Sequence, residues 1–202
     1  MKRTAFLPFL FALFLLAPAA HAKTILVFGD SLSAGYGVPR EKAWVSLLQQ
    51  ELKHSHPQYR VINASISGET TSGGRQRIRH ALRQHRPDIL VLELGANDGL
   101  RGAAIAGIRS NLSYILRQAR STRSKVLLLG IQLPPNYGID YTAQFKALYP
   151  KLAQRYHTAF VPFLLDGVRP EQFQADNLHP NAEAQPTLLH NVLQKLEPML
   201  KK

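Results

Sequence analysis

Ser31 stands in Gly29-Asp30-Ser31, a polar turn that cuts off the apolar run Thr24 to Phe28. A serine hydroxyl is a weak nucleophile at neutral pH unless a base takes its proton as it attacks. His179, in Asp176-Asn177-Leu178-His179-Pro180, can be that base. Asp176, three residues earlier, can fix the ring tautomer and stabilise the imidazolium. Acyl transfer also needs donors aimed at the oxygen that becomes negative, each worth roughly 3–4 kcal/mol. Gly68 can present a backbone N–H with no Cβ in the way, Asn97 a side-chain amide, and Ser31 its own N–H. Every one of these residues has a plain structural reading as well. Asp30 can end a strand and cap a helix, Asp176 or Asn177 can be a cap, and Gly68 and Gly95 can be turn glycines.

What separates the readings is the scaffold. Apolar runs at Thr24–Phe28, Arg60–Ala64, Asp88–Leu94, Lys125–Ile131 and Ala159–Phe163 read as five strands. Helical patterns lie between and after them, at about residues 43–53, 73–86, 103–120, 141–156 and 182–200. The strand runs are continuous in β-branched residues and leucine instead of alternating, so both faces are covered. Strands separated by helices in this way predict an α/β chain with a doubly wound parallel sheet. In such sheets ligands bind outside the carboxyl ends of the strands, where the strand order reverses. The Ser31 turn, the Gly68 loop, the Gly95-Ala96-Asn97 turn and the Asp176–His179 segment all fall at carboxyl ends. Pro180 suits the first turn of the last helix, with His179 at its mouth.

Bulk properties narrow the field. Lys2 and Arg3 precede an apolar run from Ala5 to Ala20 and an Ala20-His21-Ala22 site, the form of a signal peptide cleaved after Ala22. The run is shorter than the roughly 20 residues that cross a bilayer. Residues 1–22 are thus expected to be a signal peptide and 23–202 one domain. With no cysteine there is no disulfide, thiol nucleophile or Cys-ligated metal, and the scattered histidines lack paired ligand spacing, so no metal is expected. The net charge of +12 suggests anionic surroundings. It concentrates between Gly73 and Arg86, where Ile78, Ala81, Leu82 and His85 share one helical face and Arg75, Arg79, Arg83 and Arg86 lie largely on the others. That pattern reads as a solvated face open to contact with anionic lipid head groups. No aromatics interleave the arginines as a nucleic-acid groove requires, and no nucleic-acid partner is expected. The dinucleotide fingerprint fails because Gly35-Tyr36-Gly37 lacks a third glycine at position 40, and no phosphate-binding loop or Gly-x-Ser-x-Gly elbow occurs.

The blocks Gly-Asp-Ser-Leu-Ser at 29–33, Gly68 after the second strand, Gly-Ala-Asn-Asp at 95–98 and Asp-Asn-Leu-His-Pro at 176–180 resemble, in type and order, those of the SGNH, or GDSL-type, hydrolases. The likeness is strongest to members that act on thioesters, lysophospholipids and aryl esters in the Gram-negative periplasm. It implies a single-domain three-layer α/β/α sandwich with a five-stranded parallel, flavodoxin-like sheet. It further implies Ser31 as nucleophile, His179 as base, Asp176 as its partner, and an oxyanion hole from Ser31, Gly68 and Asn97. No cofactor is implied, and a monomer is expected. Ala96 departs from the Gly-Gly-Asn that relatives often carry, and its methyl narrows the pocket beside Asn97.

Leu133-Pro-Pro-Asn-Tyr-Gly138 follows the fourth strand at the same edge and, stiffened by its prolines, is expected to wall the pocket. Gly99-Leu100-Arg101-Gly102 is expected to be a mobile flap. Leu100, Leu133, Pro134 and Tyr137 offer an apolar trough suited to an acyl chain, or else simply pack their loops. The expected activity is cleavage of carboxylic esters and acyl thioesters. The alternatives are a carbohydrate acetylesterase on the same scaffold and a non-catalytic lipid-binding protein.

Overall fold

A computed structural model describes residues 22–200; the expected signal segment lies outside these, apart from Ala22. Strands β1 (Lys23–Gly29), β2 (Tyr59–Asn63), β3 (Ile89–Glu93), β4 (Lys125–Leu129) and β5 (Ala159–Val161) form one sheet ordered β2-β1-β3-β4-β5. All four pairings are parallel. Side chains alternate across the sheet, and both faces are apolar. Ile25 and Val27 join Trp44, Leu48 and Leu188 on one face, while Leu26 and Phe28 join Ile78, Leu112 and Phe145 on the other.

The helices cover those faces because each carries an apolar stripe. α2 (Trp44–Ser55) buries Trp44, Val45, Leu48 and Leu52, and packs with α7 (Gln185–Leu196) on the first face. α3 (Thr71–His85), α5 (Ile105–Ser121) and α6 (Ile139–Tyr156) cover the second. Full burial of each leucine or isoleucine contributes about 1.5–3 kcal/mol, which offsets chain entropy without disulfides. The result is a three-layer α/β/α sandwich. The chain runs from β1 outward to β2 and then returns to the other side of β1 for β3, so the order reverses between β1 and β3. The segments that follow these two strands carry Ser31 and Asn97.

Boundaries differ from expectation where backbone chemistry intervenes. β4 stops at Leu129, although the next N–H, of Gly130, still donates to the Val161 carbonyl at 2.8 Å; an added Cβ there would lie 2.3 Å from the Pro162 carbonyl oxygen. β5 ends at Val161, since Pro162 has no N–H to pair. The closing helix is shorter than residues 182–200. Pro186 sits in the first turn of α7, and separate 3₁₀ turns occupy Ala182–Ala184 and Glu197–Met199. Pro180 is not in a helix's first turn but pairs with Phe173 in an antiparallel bridge. Two short helices carry no periodic signal: α1 (Ser31–Ala34) and α4 (Ala96–Leu100). On α3, Ile78, Ala81 and Leu82 are buried and His85 is half-buried, while Arg75, Arg79, Arg83 and the following Arg86 are exposed.

Candidate active site

Ser31 opens α1 directly after β1. The Asp30 side chain caps this turn by accepting the Leu32 N–H at 3.1 Å, and Gly35 ends it in a left-handed conformation (φ 78°). Trp44 donates its indole N–H to the Leu32 carbonyl at 3.1 Å, which ties the turn to α2. Ser31 is 9% exposed, so its hydroxyl sits in a recess at the rim of the sheet.

His179 reaches that hydroxyl across 148 positions of sequence, with Nε2 2.8 Å from Ser31 Oγ. Its Nδ1 lies 2.6 Å from Asp176 Oδ2. Asp176 Oδ1 meanwhile accepts the backbone N–H groups of Leu178 and His179, both at 2.9 Å. Asn177 turns the chain with a φ of 55°, a left-handed conformation that asparagine tolerates. Partial burial pulls the Asp176 carboxyl upward, but the N–H groups and the imidazole outweigh it and hold it down at about 2. Hydroxyl, imidazole and carboxylate form one hydrogen-bonded line.

The donors expected for an oxyanion lie on three segments, those that follow β1, β2 and β3. Among the described residues the N–H groups of Ser31 and Gly68 are given to no other protein group, and Gly68 has a φ of 79° on an exposed turn. Asn97 Nδ2 donates to the Glu69 carbonyl at 3.0 Å and to Asp30 Oδ2 at 3.3 Å. Ala96 starts α4 with an ordinary backbone conformation, and its methyl lines the cavity beside Asn97. Gly95 (φ 125°) is required before it, because an added Cβ would strike the Tyr149 hydroxyl.

The sequence profile of the GDSL-like lipase/acylhydrolase family matches residues 27–185, a span holding all four segments. The chain belongs to that family. This GDSL-type hydrolase is 49% identical over 191 residues to esterase TesA of Pseudomonas aeruginosa, covering 94% of this chain and 95% of that one. It is 45% identical over 186 residues to an arylesterase of Vibrio mimicus, with 91% and 93% covered. It is 40% identical over 196 residues to thioesterase 1/protease 1/lysophospholipase L1 of Escherichia coli K12, with 96% and 93% covered. A crystal structure of TesA superposes with a TM-score of 0.86 at 48% identity, over 88% of this chain and 100% of that one. The protein is an ester-hydrolysing enzyme whose substrates are small-molecule esters.

A cavity of about 290 Å³ opens at the hydrolase's serine. Ser31, Asn97 and His179 line its polar end, and Leu100, Leu133 and Pro134 its apolar walls. Tyr137 is not among the lining residues; it sits half-buried in a 3₁₀ turn, Pro135–Tyr137. Ile131, Phe163, Phe173 and Leu178 line the cavity instead; Ile131 and Phe163, expected as strand ends, stand on the loops just past β4 and β5. Gly99 and Leu100 do not form the expected flap. They complete α4, and Asp98 accepts both the N–H and the hydroxyl of Thr71, at 2.7 and 2.6 Å, which pins α4 to α3.

Other residues of the hydrolase escaped sequence reading. Gln174 donates to the carbonyls of Tyr36 (2.8 Å) and Pro180 (3.1 Å), joining the histidine loop to the serine loop. Arg77 leaves the solvated face of α3. Its guanidinium lies 3.7 Å above the Phe28 ring, pairs with Glu69 at 2.5 Å and donates to the Ala64 carbonyl at 2.8 Å, which clamps the loop bearing Gly68. Asp30 and Glu93 are carboxyls with no solvent exposure. Burial raises Asp30 to about 6 against the Leu32 N–H, and burial together with the neighbouring Asp30 raises Glu93 well above the carboxylate range.

Proposed function

We propose that this hydrolase cleaves carboxylic esters and acyl thioesters through a covalent acyl-serine. The hydrogen-bonded line from Ser31 Oγ through His179 to Asp176 carries the reading. As Ser31 Oγ bonds to the carbonyl carbon, its proton passes to His179 Nε2. Asp176, ionised throughout the working range, stabilises the imidazolium that forms. The N–H groups of Ser31 and Gly68 and the Asn97 amide take the negative oxygen. Collapse expels the alcohol or thiol, which receives the proton from His179. A water then repeats the sequence on the acyl-enzyme and frees the acid and Ser31.

The apolar walls at Leu100, Leu133 and Pro134 suit a medium or long acyl chain, which supports aryl esters, acyl thioesters and lysophospholipids as the substrate class over acetylated carbohydrates. The N-terminal pattern supports export and work in the periplasm. Among the described residues no helix is long and apolar enough to cross a membrane. The test is a chain-length panel of p-nitrophenyl esters and acyl thioesters, run on the purified mature enzyme and on Ser31→Ala. The expected result is activity that rises beyond acetyl and a loss in Ser31→Ala of at least about 10³-fold. Inertness toward both panels, or a Ser31→Ala variant that still turns over, overturns the reading. A preference for acetyl redirects it to the acetylesterase. Failure of Ser31 to react with a fluorophosphonate removes it as the nucleophile.

A further inference from the structure

Beneath the serine turn lie two carboxyl groups that the reaction above does not use. Glu93 ends β3, in register beside Gly29, and is fully buried. Its Oε2 accepts the Asp30 N–H at 3.2 Å and the Ser33 hydroxyl at 2.8 Å. Its Oε1 is buried and receives no N–H or O–H among the described residues. The neighbouring carboxyl is that of Asp30, the residue whose backbone N–H Glu93 accepts, and it is equally buried. Asp30 takes the Leu32 N–H on Oδ1 and the Asn97 amide on Oδ2.

No cation pairs with either carboxyl among the described residues. Arg77, from α3, spends its guanidinium on Glu69, Ala64 and the Gly29 carbonyl. From α4, Asp98 is engaged by Thr71; from α6, the Tyr149 hydroxyl donates to the Leu94 carbonyl at 3.1 Å. His179 acts on Asp30 through space from the loop above and is bonded elsewhere. Two adjacent carboxylates buried without a counter-charge cannot both be ionised, so one keeps its proton. Three of the four carboxyl oxygens already accept donors from the backbone or from Ser33 and Asn97. The fourth, Glu93 Oε1, is where the proton belongs.

We propose that Glu93 is a neutral carboxylic acid that donates its Oε1 proton to the Asp30 carboxylate, and is thereby a positioning residue for the oxyanion donors around Ser31. The inference rests on the acyl-serine reading. Asp30 sets the turn that carries the Ser31 N–H and competes for the Asn97 amide, whose bond to Asp30, at 3.3 Å, is longer than its bond to Glu69, at 3.0 Å. A proton shared from Glu93 meets part of Asp30's demand, so the longer bond exchanges readily for one to the substrate oxygen. Without that proton, a desolvated carboxylate holds the amide back. The directions of the two shifts agree: burial raises both carboxyls, Asp30 to about 6, and the charge of Asp30 raises Glu93 further.

Glu93→Gln and Glu93→Leu test this. The glutamine amide can donate to Asp30 while its oxygen accepts from Asp30 N–H and Ser33; leucine has similar size and can do neither. Glu93→Gln is expected to keep kcat within about threefold of the parent, and Glu93→Leu to lose roughly 10- to 100-fold in kcat with little change in KM. Glu93→Gln losing as much as Glu93→Leu overturns the proposal. Glu93 is raised on folding from its ordinary 4.5, so the parent's stability is full below that value and its Tm should fall as pH rises above it, more steeply than that of Glu93→Gln. A fall of equal slope in both overturns it. Should Glu93→Leu fail to fold, infrared spectra decide. A protonated-acid carbonyl band at about pH 8, present in the parent and absent from Glu93→Gln, supports the proposal, and no such band in the folded parent overturns it. The band is also expected in Ser31→Ala, so it stands or falls apart from activity.

Discussion

Asp176 and the Asp30–Glu93 pair are carboxyl groups of one candidate active site held in opposite ways. Asp176 is on a loop, its side chain 39% exposed; partial burial is outweighed by two N–H donors and the imidazole, and its carboxyl drops to about 2. Asp30 and Glu93 have no exposure, and burial lifts both. The difference lies in donor supply. A tight turn offers several N–H groups to one carboxylate, whereas a strand end has already committed its own to the sheet. In the proposed mechanism the exposed acid stays charged to stabilise a cation, and in the proposed pairing the buried acids stay partly neutral to hold a turn in shape.

The comparison is tested most severely at its exposed end. Asp176→Asn keeps an oxygen for the Leu178 and His179 N–H groups, so folding should survive while kcat falls roughly 10³–10⁴-fold. Steady-state kinetics beside a thermal melt check this; a loss below about tenfold removes Asp176 from the reaction. At the buried end the sign is the reverse of an ordinary surface carboxylate. Asp30 titrates at 3.8 when unfolded and at about 6 when folded, so the native state binds more protons between these values. Stability is therefore full below about 4 and declines as pH rises to about 6. Denaturant titrations across that window should show the decline in the parent and a smaller one in Asp30→Asn. The smallest effect is expected between the two regions. Gln174→Ala removes the tie between the histidine and serine loops, and should cost about 1 kcal/mol of stability and a severalfold loss in kcat. An unchanged kcat shows that the loops are positioned without it.

Local sequence was enough for whatever a few neighbouring residues decide. The apolar runs foretold five strands, and the pairing of Asp176 with His179 follows from a three-residue spacing through a turn. The order of the polar segments pointed to one edge, and the structure brings Ser31, His179 and Asp176 to it. Tyr137 and the supposed flap show where such reading ends. The cavity walls include Phe163, read as the end of a strand but standing on the loop past β5, and Gly99 and Leu100 complete α4, which Asp98 holds through a partner 27 positions away.

Residue types, strand runs and the local Asp–His geometry were thus written in the chain itself, because each depends on backbone preference or on side chains a few positions apart. Tertiary structure alone decided the buried acids. Glu93 reads in sequence as one polar residue closing an apolar strand, and Asp30 as a cap. Only when β1 lies beside β3 do residues 60 and more positions apart share one dry space. Burial, and with it the place of a proton, belongs to the neighbours that folding supplies.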